Sequence, residues 1–268
     1  MSEKVSLHDI AGAIEAVCPP CYQEKWDNTG WQVLPVDDSE PCSGVLTCVD
    51  VTETILDEAV ERGCNMVIAH HPLLFQPVRS LVAGTGRVAD CVIEACRRGI
   101  AVYSSHTAAD SAPEGINTRL ADYLQLTDRQ RLHDVDGHPE AGMGVVGNLP
   151  EPLTAAALVA LVKEAIGAEA VRVSTPIPSE KIQRIGICGG AGFDFMAKAR
   201  ELGATAYISS DIRHHEFVDH GSEIFLVDIS HHDAEKCAKD IFNSIIRKNF
   251  PNFAVYNSAE ETNPVTFL

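Results

Sequence analysis

Two adjacent histidines close an apolar run in NMVIAHHPLLF, Asn65 to Phe75. Met66-Val67-Ile68-Ala69 reads as a short buried strand, and Pro72 forbids its ladder from continuing. His70 and His71 therefore stand at a strand's carboxyl end, where α/β proteins usually bind ligands. Paired imidazoles there suit a metal site or a catalytic base; a strand terminus without chemistry is the bland alternative. In IAVYSSHTAAD, His106 is followed four residues on by Asp110, and in IFLVDISHHDAEK His231 is followed by Glu235 at the same spacing. On a helix that spacing sets both side chains on one face. Taken singly, Asp110 is also a fair N-cap for the helix GINTRLADYL, and His231 with Glu235 an ordinary surface pair.

The elements that must position these residues repeat. CVDVTETILDEAVERGCNMVIAHH, from Cys48, aligns without a gap with CGGAGFDFMAKARELGATAYISSD, from Cys188. Each reads as strand, tight turn, helix, glycine stop (Gly63, Gly203) and second strand, with Ile55 and Ala59, or Phe195 and Ala199, at helical spacing. The short strands MVIA and AYIS have the two-sided burial of parallel strands, so each copy is a β-α-β unit with a right-handed crossover. The match continues through helices near Val88–Arg97 and Arg213–His220 and sets SHTAAD beside SHHDAE. A tandem duplication of an α/β unit accounts for the pattern. The expected division is residues 1–132, joined by the tail 248–268, and residues 133–247, parted in the Gly- and Pro-containing stretch His133–Gly142.

If both copies share one topology, His70, His71, Asp110, His231 and Glu235 all sit at carboxyl ends of strands. Three imidazoles and two carboxylates make a mixed donor set for zinc, manganese, iron or cobalt rather than calcium or copper(I). A carboxylate that can bridge, and positions left open for water, favour two divalent ions per chain over one. Asp211, in SSDIRHHE, matches His71 by repeat position; it or His215 would orient a ligand or shuttle a proton, and a plain N-cap is the alternative for Asp211. His106 is the other proton-transfer candidate. GGAG, Gly189–Gly192, looks like a phosphate-cradling turn but lacks the full dinucleotide fingerprint and a Walker lysine. WDNTGW, Trp26–Trp31, is a turn by composition, with a substrate-facing loop as the alternative. His8, His133, His138 and His220 have no partner spacing and are read as surface residues.

Composition bounds the rest. With 268 residues and 45% hydrophobic content the chain has a real core. A net charge of −17 and a pI near 4.9 argue against a large surface gripping nucleic acid. No apolar run is long enough to span a bilayer, and MSEKVSLHDI lacks the apolar block of a signal peptide, so a cytoplasmic address is expected by default. Nine cysteines show no spaced framework. CPPC, Cys18 to Cys21, has redox spacing but follows an amphipathic stretch, so Pro19-Pro20 reads as a helix stop.

Five blocks in order, WDNTGWQV, CVDVTETILDEAVERGCNMVIAHHPLLF, IAVYSSHTAAD, GGAGFDFMAKARELGATAYISSDIRHHE and LVDISHHDAEK, make the chain resemble the dinuclear-metal-centre proteins named GTP cyclohydrolase 1 type 2 homologues, relatives of the yeast NGG-interacting factor three. The resemblance spans almost the whole chain and is to the short form without an inserted middle domain. It implies duplicated three-layer α/β/α units with mixed β-sheets in two intertwined domains, often assembled as a homohexamer. It sets the family's metal ligands on His70, His71, Asp110, His231 and Glu235, with His106 near the metals. The family's name implies hydrolytic opening of the purine imidazole ring of GTP, a small-molecule substrate, with a metal-bound hydroxide as nucleophile. Phosphates would then meet the GGAG turn and Arg213. A noncatalytic metal-binding scaffold is the alternative. Gln76, His214 and His232 depart from the lysine, tyrosine and aromatic residue common in the family, so substrate contacts at those positions are not carried over.

Overall fold

The computed structural model describes residues 4–268. In chain order the elements are α1 (Leu7–Glu15), β1 (Gly30–Val33), β2 (Val45–Cys48), α2 (Glu53–Glu61), β3 (Met66–Ala69), α3 (Arg87–Arg98), β4 (Ala101–Ser104), α4 (Thr107–Ser111), α5 (Ile116–Tyr123), β5 (Thr127–Val135) and β6 (His138–Leu153). Then come α6 (Ala155–Ile166), β7 (Val171–Val173), β8 (Ile182–Ile187), α7 (Met196–Glu201), β9 (Ala206–Ser210), α8 (His214–His220), β10 (Phe225–Ile229), α9 (His231–Glu235), α10 (Ala238–Asn249) and β11 (Val255–Asn257). The chain forms two compact units, each drawn from two stretches: one ends at Ala112 and resumes over Ala238–Thr262, the other takes Pro113–Cys237 and Asn263–Leu268.

The first unit is built on a five-stranded sheet of order β1-β4-β3-β2-β11, parallel except for β1. Its strands alternate between two apolar faces. Leu46, Cys48, Val67, Ala69 and Val102 join Ile55, Leu56 and Ala59 of α2 and Cys91, Val92 and Ala95 of α3 in one buried cluster. Thr47 and Tyr103 point the other way, where their hydroxyls donate to the Lys239 carbonyl of α10 and to Glu15 of α1. Helices thus cover both faces. Thr52 caps α2 through the Ile55 amide, and Gly63, at φ +70°, supplies the left-handed residue that lets the chain turn into β3.

The second unit carries a six-stranded sheet of order β5-β6-β8-β9-β10-β7, in which β8, β9 and β10 run parallel and the rest antiparallel. Val146, Tyr207 and Leu226 pack with Met196 and Ala199 of α7 and with Phe217 of α8. Helices α5 and α6 pack on β6 outside that cluster. The repeat is visible as β2-α2-β3 and β8-α7-β9, each a parallel β-α-β unit. His133–Gly142 forms the end of the β5–β6 hairpin within the second unit, where a Cβ on Gly142 would stand 2.1 Å from the His133 carbonyl oxygen. Helix α1, opened by a Ser6–Asp9 capping box, ends at Glu15, ahead of Cys18 (buried) and Cys21 (exposed). Among the described residues no helix is long and apolar enough to cross a membrane.

Candidate metal centre

In the first unit the histidine pair extends the β2–β3 ladder. The His70 and His71 amides donate to the carbonyls of Cys48 and Val49, at 3.0 and 2.9 Å, so Pro72 stops the strand only after both residues are fixed. His70 is fully buried. Its Nδ1 lies 3.1 Å from the Ser105 carbonyl, which can only accept, so Nδ1 carries the proton and Nε2 presents a lone pair. His71 Nδ1 lies 3.2 Å from Asp50 Oδ1, and His106 Nδ1 lies 2.7 Å from Asp27 Oδ1. Each ring thereby has one nitrogen committed to an oxygen acceptor. The three rings stand 4.9 to 5.4 Å apart by centroid. One ligand atom from each of His70, His71 and His106 falls within 4.8 Å of the others.

Asp110 is buried within the single turn of α4, with Oδ1 3.8 Å from His70 Nε2. It is not the N-cap of the next helix; Gly115 takes that place on α5. The carboxylates behind the imidazoles are held ionised. Burial pushes Asp27 up, but the His106 hydrogen bond and charge, with Thr107 and the Asn28 amide, outweigh it and bring it to about 2. Burial likewise raises Asp50, and His71, with Arg87 nearby, more than offsets it, leaving its pKa below the usual carboxylate range.

The WDNTGW turn builds this side of the site. Asp27 accepts from the Thr107 amide at 2.9 Å as well as from His106. Asn28 Nδ2 donates to the Leu74 carbonyl, and Gln32 Oε1 accepts the Leu74 amide, so the turn is bolted to the loop that follows the histidine pair. The exposed rings of Trp26 and Phe75 meet edge to face at 5.9 Å, each 6.0 Å from His106.

In the second unit α9 places His231 Nε2 3.0 Å from Glu235 Oε2, as four-residue spacing requires. His231 Nδ1 is taken by Asp211 Oδ2 at 2.7 Å, the same arrangement as in the first unit. Asp211 reaches it from a left-handed backbone, φ +56°. Gly190, at φ +65°, lies against the pair: a Cβ there would stand 2.3 Å from Glu235 Oε1. By the alignment, Gly190 corresponds to Asp50 and Asp211 to His71. One copy uses that turn position for an acid that orients a histidine, and the other clears it for a carboxylate.

Two amides of the GGAG turn are taken by the protein's own side chains. The Gly189 amide donates to Asn117 Oδ1 and the Gly192 amide to Ser209 Oγ, and the following α7 has six residues, too short to act as an anion site. Arg213 is forked onto Glu216. Two of the GGAG amides and the Arg213 guanidinium, expected to meet phosphates, are therefore engaged within the protein. His215 lies exposed in the first turn of α8, its ring against His214, and joins no ligand cluster among the described residues. His8, His138 and His220 pair with Asp38, Glu140 and Glu223 near the surface, and His133 stacks on Phe195. Sequence reasoning missed Asp27 and Asp50. Asp50 stands two residues after β2, but its counterpart in the second copy is Gly190, so the alignment did not mark it.

The donors fit a divalent cation: imidazoles with their tautomers set and a carboxylate beside them are the borderline N/O set that such ions take. The family model for Duf34/NIF3 (NGG1p interacting factor 3) matches residues 5–264. Relatives named GTP cyclohydrolase 1 type 2 homolog are 33% identical in Clostridium perfringens, over 86% of this chain and 87% of that protein, and 33% identical in Lactococcus lactis, over 97% and 98%. A Staphylococcus aureus hypothetical protein of known structure superposes with a TM-score of 0.88 at 24% identity, covering 99% of this chain and 100% of that one. A two-sheet α/β protein with an imidazole cluster at its strand ends, this chain belongs to the Duf34/NIF3 family.

Proposed function

We propose that the chain is a dinuclear-metal-dependent hydrolase of the GTP cyclohydrolase 1 type 2 kind, acting on a nucleotide or related heterocycle. His70, His71 and Asp110 from one copy of the repeat, with His231 and Glu235 from the other, would hold two zinc, manganese, iron or cobalt ions. The observation that carries the reading is that His70, His71, His106 and His231 each have Nδ1 against an oxygen acceptor, which orients all four rings in the way metal-ligating imidazoles are oriented. Support for joining the two copies comes from the repeat and the family, each half contributing residues at equivalent strand ends. Bound ions would supply Lewis acidity and acidify water toward neutral pH.

The chain's own residues do the rest. His106, backed by ionised Asp27, is the group to move a proton; His215, in the SSDIRHHE stretch that also carries Asp211, is the second candidate. Trp26 and Phe75, exposed yet anchored through the Asn28 and Gln32 bonds to Leu74, offer rings on which a planar heterocycle can pack. A homohexamer, as the resemblance implies, and the cytoplasmic address expected by default belong to the same reading; light scattering checks the assembly.

The test is GTP turnover by protein loaded in turn with zinc, manganese, iron or cobalt, with Asp110→Asn and Trp26→Ala beside it. Ring opening that falls at least about a hundredfold in Asp110→Asn with the fold intact, and a raised KM in Trp26→Ala, support the reading. No turnover with any of the four metals contradicts it and leaves a noncatalytic metal-binding scaffold.

A further inference from the structure

The C-terminal segment reaches back to the histidine pair. Glu261 Oε1 accepts the amides of both Val49 and Asp50, at 2.7 and 2.9 Å, across more than two hundred residues of sequence, and Lys239 Nζ holds the other oxygen at 2.9 Å. The side chain is only 6% exposed. Those two amides belong to the dipeptide on which His71 depends. The Val49 carbonyl accepts the His71 amide at 2.9 Å, and the Asp50 carboxylate takes His71 Nδ1. Glu261 is itself set by a second clamp. Strand β11 pairs in parallel with β2, the Ser258 amide donates to the Thr47 carbonyl, and the Glu58 carboxylate takes the Ser258 hydroxyl and the Ala259 and Glu260 amides.

We infer that Glu261 is a positioning residue for His71. It fixes the turn after β2, the turn fixes Asp50, and Asp50 fixes the tautomer and direction of the His71 ring. The inference rests on His71 being a metal ligand, as proposed above. A carboxylate is suited to the task because one ionised oxygen can accept two neighbouring amides at once, and hydrogen bonds to a charged acceptor are roughly twice as strong as neutral ones. Without it the two amides would have to find other partners and the Asp50 backbone would be free to turn.

The experiment uses the full chain, stripped with a chelator, and reads two quantities. The first is the dissociation constant for manganese or zinc alone; the second is the ¹⁵N shifts of the His71 ring in the metal-free protein, which report its tautomer. Glu261→Ala is expected to weaken the tighter metal step about tenfold or more and to mix the His71 tautomers. Glu261→Gln, whose amide oxygen can still accept both N–H groups but whose –NH2 meets Lys239 Nζ, should fall between wild type and Glu261→Ala. On an Asp50→Ala background, which removes the acceptor for His71 Nδ1, Glu261→Ala should cost little more, because the path to His71 is already cut. If Glu261→Ala fails to fold, Glu261→Asp, which retracts the acceptor by one methylene, should show the same losses to a smaller degree. Wild-type affinity and an unchanged His71 spectrum in Glu261→Ala or Glu261→Asp would overturn the inference, as would full additivity with Asp50→Ala. A protein that binds neither metal would sink the hydrolase reading while the metal-free ¹⁵N spectra still decided the role of Glu261.

Discussion

Histidines 70, 71, 106 and 231 each commit one ring nitrogen to the protein, to Ser105, Asp50, Asp27 and Asp211 respectively. Two of those partners, Asp27 and Asp50, were invisible as such in the sequence. Strand-end position and the repeat made the histidines legible, but an orienting acid obeys no spacing rule, because it can approach from any loop. The alignment even hid Asp50, since its counterpart is a glycine. That glycine makes a sharp residue-scale prediction. Gly190→Ala adds a Cβ 2.3 Å from Glu235 Oε1 on a backbone at φ +65°. Denaturant unfolding should show a loss of about 1–3 kcal/mol, and metal content should drop because Glu235 is displaced. An alanine variant with native stability and full metal would mean that Glu235 needs no such clearance.

Among the elements, the β-α-β units were readable because periodicity and glycine stops are local: α3 spans Arg87–Arg98 and α8 His214–His220, close to their expected bounds. The β5–β6 hairpin was not. Its turn residues look like a linker, and only long-range pairing, such as Arg131 opposite Val145, makes them a sheet. The docking of the C-terminal segment on α2 is another non-local feature, and it titrates. Burial opposes ionisation of Glu58, but Ser258, the Ala259 and Glu260 amides and Arg62 outweigh it, so its folded pKa lies below the ordinary value. A depressed carboxyl contributes stability that is present above the unfolded pKa, about 4.3, and is lost as pH falls through the folded value. Glu58→Gln should therefore cost about 1–3 kcal/mol at pH 7, a difference from wild type that shrinks below about pH 4. Denaturant unfolding at pH 7, 5 and 3 measures it; a difference that grows on acidification would contradict the clamp.

At the scale of the whole molecule, duplication explains how one short sequence pattern supplies donors twice: β2-α2-β3 ends in His70-His71, and β8-α7-β9 ends near Asp211, which holds His231. The net charge of −17 suits a protein that gathers cations. The proposed function has His71 of the first copy and Glu235 of the second serve one dinuclear centre, and metal stoichiometry tests that proposal most directly. Elemental analysis of protein reconstituted with manganese or zinc should give two ions per chain for wild type. His71→Ala and Glu235→Ala should each fall below that, with their folds intact by circular dichroism. Two ions retained by either variant would contradict the shared centre.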